Sequence, residues 1–344
     1  MLSFFQLKKD SHIKSESTVD SAGGRRGFVP AVDSVVERIE PVSTADRADW
    51  IHLEGATEEE MQEIAEHYGL PIDYLTSTLD PDEVSRSENL YQESVAKPVL
   101  ILLHYPVPDE ENTDSGYFTT RTIAIILTAD KLITCMNSNP DFLEDIMANR
   151  FDLVYSLEDI HGIVIEIAWR ISESFVHASK TVRSKVDELQ DALRKSTKTE
   201  HLLRLADLDK SIIYLKTALD ENRPILEGMS DALYLVHQDQ EKAWLHDVLV
   251  ENHQADRMAS QTNKMLEQLD STFSSIIQNN LNVIMKVLTS LTIIITIPTI
   301  ISGYWGMNVH LPFVDNPLAF LFTIVLTVLL MAVAIILLKR KDLL

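Results

Sequence analysis

The sequence predicts an α/β N-terminal domain, then a long helical stalk, then two transmembrane helices at the C-terminal end. Three observations predict it. Apolar runs with strand period and with helix period alternate through the first 155 residues. From about residue 241 to 304 the helical period is interrupted only by Pro298. Two stretches, 287–309 and 317–338, carry no charged side chain, and each meets the roughly 20 apolar residues that a membrane span needs.

The elements follow in order. Residues 50–53, 98–105, 117–127 and 132–136 read as strands, rich in β-branched and aromatic residues. The acidic, turn-rich segment 108–116 joins the second and third as a hairpin. Thr57-Glu58-Glu59-Glu60 opens a helix over 57–67 as a capping box, and further helices are expected at 72–79 and 140–149. This is an α/β layer with a mixed or antiparallel sheet. After residue 155, Ile160, Val164, Ile167, Ile171, Phe175, Ala178 and Val182 keep helical spacing. Pro224 and Gly228 mark an expected break between two helices. The predicted division is a cytoplasmic α/β domain at 1–155 and a cytoplasmic helical pair at 156–240. A stalk helix at 241–305 continues into the first span at about 285–305. An outer loop at 306–316, the second span at 317–338 and a basic cytoplasmic tail at 339–344 complete it.

Bulk composition limits the function. The 344 residues carry a formal net charge of −22. Phosphates would be repelled, which argues against a nucleic-acid partner. The lone cysteine, Cys135, sits in an apolar strand and fits a small core residue in a reducing compartment. The start of the chain has no apolar stretch of signal-peptide length. Gly23-Gly24 beside Arg25-Arg26 lacks phosphate-loop spacing. With no catalytic constellation, the chain is not expected to be an enzyme.

Positive charge flanks the two spans on one side only. Lys286 precedes the first, and Lys339-Arg340-Lys341 follows the second. The positive-inside rule then puts both termini in the cytoplasm, in a cell (inner or plasma) membrane, with the short connection outside.

The first span is more than an anchor. At spacings of four and three, one stripe runs Gln278, Asn282, Met285, Thr289, Thr292, Thr296, Thr299, Gly303. That polar or small face persists for about seven helical turns. It suits either close helix packing or a water-lined pore built from several copies. The second span has only Thr323 and Thr327 as polar side chains before Lys339 and reads as lipid-facing. In the stalk, Leu245, Leu249, Asn252, Asp256, Ala259, Asn263, Leu266, Asp270, Phe273 and Ile277 form a seam with repeated Asn and Asp. A dry dimeric coiled coil tolerates few such residues; a ring with a wet centre is the expectation.

Gly306-Met307-Asn308, placed after an inner helix and before a short loop, a second span and a basic tail, resembles the signature of the CorA family of divalent-cation channels. The stretch Asn282-Val-Ile-Met-Lys-Val-Leu-Thr289 resembles the start of that family's inner helix. The likeness is close over about the last hundred residues, and the order of the preceding elements agrees with the family's cytoplasmic part. It implies a funnel-shaped homopentamer carrying Mg2+, embedded in lipid. Gly306, Met307 and Asn308 would form the selectivity filter, with five Asn308 amides ringing the outer mouth. Mg2+ holds its waters tightly, and neutral amide oxygens can bind that hydration shell without stripping it. Carried over by position, Asn282, Thr292 and Thr299 would line the pore, joined by Thr296 and Gly303 of the stripe. Met285 and Leu288 would form an apolar gate that closes by dewetting. The stripe itself has Thr289 where the resemblance has Leu288. A regulatory Mg2+ would bind between Asp73 and Asp247 of adjacent subunits and hold the channel shut.

The chain departs from the family pattern at four places. Trp305 stands where a tyrosine usually adjoins the motif, and Pro298 lies one position late. The outer loop carries only Asp315, and Ser271 has no acid, although Asp270 adjoins it. Two other readings compete. One is a Zn2+, Co2+ or Ni2+ transporter of the same fold, suggested by His310 and eleven histidines overall. The other is a non-conducting, membrane-tethered coiled-coil scaffold or sensor.

Overall fold

Strands buried on both faces need apolar side chains at nearly every position, and this requirement explains the long apolar runs of the N-terminal half. The computed structural model describes residues 1–9, 37–92, 96–109, 116–154, 159–195, 198–232, 234–236, 239–307, 318–341 and 343. It divides into two units, 1–267 and 268–344.

In the first unit, seven strands form one sheet: β1 (Leu2–Lys9), β2 (Glu37–Pro41), β3 (Trp50–Glu54), β4 (Arg86–Glu88), β5 (Val99–Pro108), β6 (Phe118–Leu127) and β7 (Leu132–Met136). Their order is β2-β1-β3-β7-β6-β5-β4. Only the β3–β7 pair is parallel, with Trp50 opposite Leu132, so the sheet is mixed. One face carries Ile51, Leu53, Leu100, Leu102, Ala124, Ile126, Ile133 and Cys135 onto Met61, Ile64, Leu70, Tyr74 and Leu75. Those belong to α1 (Glu58–Tyr68), α2 (Asp73–Thr76) and the turn between them. Thr57 caps α1 with both halves of the capping box formed, and Gly69 closes it in the left-handed region at φ 63°. A helix α3 (Asp141–Met147) follows β7. The other face of the sheet packs against α4 (Ile160–Lys195) and α5 (Thr199–Asp231).

Buried polar groups tie these layers together. Glu166 of α4 is fully buried and accepts from the amides of Asp152 (2.8 Å), Leu153 (3.1 Å) and Val154 (3.0 Å) and from Arg170 Nε (3.1 Å). Asn222 of α5 accepts from the His104 amide and donates to the His104 carbonyl, both at 2.9 Å.

Two expectations need correction here. The helix does not break at Pro224 or Gly228; α5 runs unbroken through both to Asp231. A proline removes one helical hydrogen bond, but the Asn222 bonds pin the preceding turn to β5. Gly228 answers a different need, because a Cβ there would lie 2.7 Å from the Tyr91 hydroxyl. The stalk seam is the second correction. The helix α6 (Asp239–Trp305) buries Leu245, Asn252, Ala259 and Leu266 within the chain itself. Its N-terminal half lies beside α5, where Lys216 meets Asp256 at 3.3 Å. Burial first and Glu173 of α4 second push the Glu251 carboxyl up. These positions therefore do not face a ring centre.

The second unit holds the rest of α6 and α7 (Ala319–Arg340). Both helices are long and apolar enough to cross a membrane, with mean hydropathy 2.0 and 3.1 over their most apolar windows.

Candidate functional site

A helix in contact with one neighbour buries one stripe and leaves the opposite one free. In α6, Ser290 is buried, and Ile294, Ile297, Pro298, Ile301 and Trp305 are half-buried. Ser290 Oγ donates to the Leu343 carbonyl at 2.6 Å. Pro298, Ile301, Ser302 and Trp305 share a cleft of about 780 Å3 with Phe320, Thr323 and Thr327 of α7. At about 100° per residue these positions form one face. Gln278, Asn282, Met285, Thr289, Thr292, Thr296, Thr299 and Gly303 lie on the opposite face and are all exposed. The chain's own second span therefore does not account for the polar stripe. Thr323 and Thr327 are half-buried on the α6 side of α7, while Phe320, Leu321, Val325 and Leu329 of the same helix are exposed.

Three hydroxyls of the stripe are already committed as donors. Thr292 donates to the Leu288 carbonyl at 2.8 Å, Thr296 to Thr292 at 2.7 Å and Thr299 to Ile295 at 3.0 Å. Their outward lone pairs can only accept. Met285 and Leu288 are 59% and 55% exposed on the protomer; both point away from Ser290, with Leu288 to one side of the threonines.

At the C-terminal end of α6, Gly306 N bonds to Ser302 O at 2.9 Å and Met307 N to Tyr304 O at 3.3 Å. A Cβ on Gly306 would come within 3.3 Å of the Ser302 carbonyl, so glycine lets the last turn close tightly. Asn308 lies outside the described residues, as do His310 and Asp315.

In the first unit, Asp73 opens α2 and Asp247 lies on α6; both side chains are exposed. Asp73 has a partner that the sequence reading missed: Arg86 Nη2 approaches its Oδ2 to 3.6 Å. Next to it, burial first and the Glu88 hydrogen bond second push the Tyr74 phenol up to about 12, so it remains a donor. The signal for Arg86 was a single basic residue among Asp80, Asp82, Glu83 and Glu88. Among the described residues no three His, Cys, Asp or Glu side chains of one chain converge to hold a metal. Three histidines serve the fold: His52 bonds Thr134, His104 bonds Glu221 and Thr122, and His161 bonds Asp159. Burial first pushes His52 down to about 4, so it stays neutral inside the sheet.

A mixed α/β domain, a continuous helix ending in a span, and a second apolar helix define a two-span membrane protein whose first span carries an unused polar face. A protein-family model described as "CorA-like Mg2+ transporter protein" matches residues 45–340. The chain belongs to this family, and it is accordingly a CorA-type divalent-cation transporter of the membrane rather than an enzyme. It is 22% identical over 317 residues to the cobalt/magnesium transport protein CorA of Methanocaldococcus jannaschii, covering 90% of this chain and 96% of that one. The complete structure of the CorA magnesium transporter from Methanocaldococcus jannaschii matches its fold with a TM-score of 0.73 at 21% identity, over 89% of this chain and 95% of that one. The ZntB cytoplasmic domain from Vibrio parahaemolyticus matches at a TM-score of 0.55 and 10% identity, over 70% of this chain and 94% of that domain.

Proposed function

We propose that this chain is a homopentameric channel for Mg2+, in which five first spans turn their polar stripes inward. The observation that carries this reading is the exposed threonine face opposite α7, with its hydroxyl protons spent on the backbone. A hydrated Mg2+ presents water protons outward, so a lining of acceptors suits it without dehydration. Asn282, Thr292, Thr296, Thr299 and Gly303 line the path. Gly306, Met307 and Asn308 select at the outer mouth, and Met285 and Leu288 close it. Both termini are cytoplasmic, which Lys286 and the tail at 339–341 support. Inward movement of a divalent ion is favoured by about 4.6 kcal/mol per 100 mV, so no coupled reaction is needed. The name of the curated Methanocaldococcus jannaschii relative supports both Mg2+ and Co2+ as cargo.

Flux into liposomes containing the purified protein tests the cargo. Mg2+ entry should exceed Zn2+ entry under the same gradient; Zn2+ flux without Mg2+ flux would establish the competing zinc reading. A membrane scaffold would pass neither ion.

Regulation follows from electrostatics. Carboxylates of Asp73 and Asp247 on adjacent subunits repel unless a cation bridges them, so ion binding favours the closed ring. Asp247→Ala should raise the Mg2+ concentration that gives half-maximal protease protection by roughly tenfold, in the lower half of the usual coupling range. An unchanged protection curve would remove Asp247 from this role.

A further inference from the structure

Asp73, one of the two proposed regulatory ligands, already has a cation of the chain's own beside it. Arg86 Nη2 lies 3.6 Å from Asp73 Oδ2 and 3.2 Å from Ser77 Oγ, while Nε lies 3.3 Å from Glu88 Oε1 and Nη1 contacts Glu83. Exposure is uneven across this cluster. The Arg86 side chain is 30% exposed and Glu83 17%, whereas Asp73 is 60% exposed. The guanidinium is thus held on its inner side by Glu83, is flanked by the 42% exposed Glu88, and meets Asp73 at its most open edge.

We propose that Arg86 is a built-in competitor for the regulatory cation, a tethered positive charge that a divalent ion must displace from Asp73. This rests on the reading of Asp73 as a regulatory ligand. The guanidinium cannot lose its proton, so it cannot step aside by neutralising, and a dication at Asp73 would repel it at about 4 Å. Arg86 keeps Glu83 and Glu88 when Asp73 is taken, so displacement leaves no bare buried charge. Partly exposed ion pairs are individually weak. The competition therefore raises the ion concentration needed for closure without preventing it.

The test uses the full chain in lipid nanodiscs and reads protease protection against Mg2+ concentration. Arg86→Gln should lower the half-protection concentration roughly threefold to fivefold, the upper part of the range expected from losing one weak ion pair. Arg86→Lys keeps the charge and should stay within about twofold of the unmodified protein. An unchanged midpoint in R86Q, with Asp247→Ala still shifting it, would overturn the competitor and leave the regulatory site standing. A shift in R86K as large as in R86Q would overturn it too, by tracing the effect to lost packing around α2. No Mg2+ protection in the unmodified protein would defeat both readings together.

Discussion

Replacing Asn308 with alanine is expected to abolish divalent-cation uptake while leaving assembly intact. The change removes an amide from the short connection between two uncharged apolar stretches. If the amide carbonyls accept from the waters around Mg2+, each lost bond costs about 1 kcal/mol. Summed around a ring of subunits, the loss would slow entry by well over roughly a hundredfold, since 1.4 kcal/mol is a factor of ten. Uptake of Mg2+ by proteoliposomes and the oligomer mass in detergent are the two readouts. Uptake near the unmodified level, from protein of unmodified mass, would mean that the outer mouth does not select through Asn308.

Replacing Glu166 with alanine should cause the largest loss of stability of any single change to the soluble part. Its carboxylate accepts three backbone amides and the Arg170 guanidinium, all shielded from water. Alanine leaves the three amides without an acceptor and takes one carboxylate from Arg170, which keeps Asp152 and Glu173. A buried donor left unsatisfied costs about 1–3 kcal/mol, so three of them give an expected loss of at least about 3 kcal/mol. Arg170 also holds the Arg150 carbonyl at 3.0 Å, so the segment between α3 and α4 should loosen with it. Chemical denaturation of the full chain measures the loss. A change under about 1 kcal/mol, the net value of one ordinary hydrogen bond, would show that water or a neighbouring acceptor replaces Glu166.

Much of the fold was legible in the sequence, for identifiable reasons. The strands β5, β6 and β7 were visible because helices cover both sheet faces and most of their positions are apolar. The capping box at Thr57 and Glu60 is a local device that needs no tertiary information. β3 was also read, at 50–53, whereas β1, β2 and β4 were not visible. β2 and β4 are short edges whose sequences, Glu-Arg-Ile-Glu-Pro and Arg-Ser-Glu, look like loops. Short charged edges limit unwanted pairing, so the feature that hid them is also what they are for. Pro224 misled because propensity is a local signal and the Asn222 bonds to His104 are not.

The site divides in a similar way. A threonine stripe in an apolar helix is detectable by period alone. Its direction is not, because the period does not say which face the second span covers; Ser290 and Ile294 supplied that. In the stalk the same ambiguity misassigned Leu245, Asn252, Ala259 and Leu266, since packing within a chain and between chains produces the same spacing. The Asp73–Arg86 pair spans thirteen positions and joins a helix start to a strand, so no periodic pattern announces it.

The bonds from Thr292, Thr296 and Thr299 to the helix backbone have one more consequence. If these threonines line the pore as proposed, the lining would discriminate between ions without any fixed charge. It has nothing to titrate between pH 5 and 8, where carboxylate or histidine rings would change state. It also attracts no counterion cloud, so added salt has little to screen. Preference for cations over anions would then come from the polarity of the hydrogen bonds offered by the wall. That preference should persist across ionic strengths and proton concentrations that would disable a charged pore.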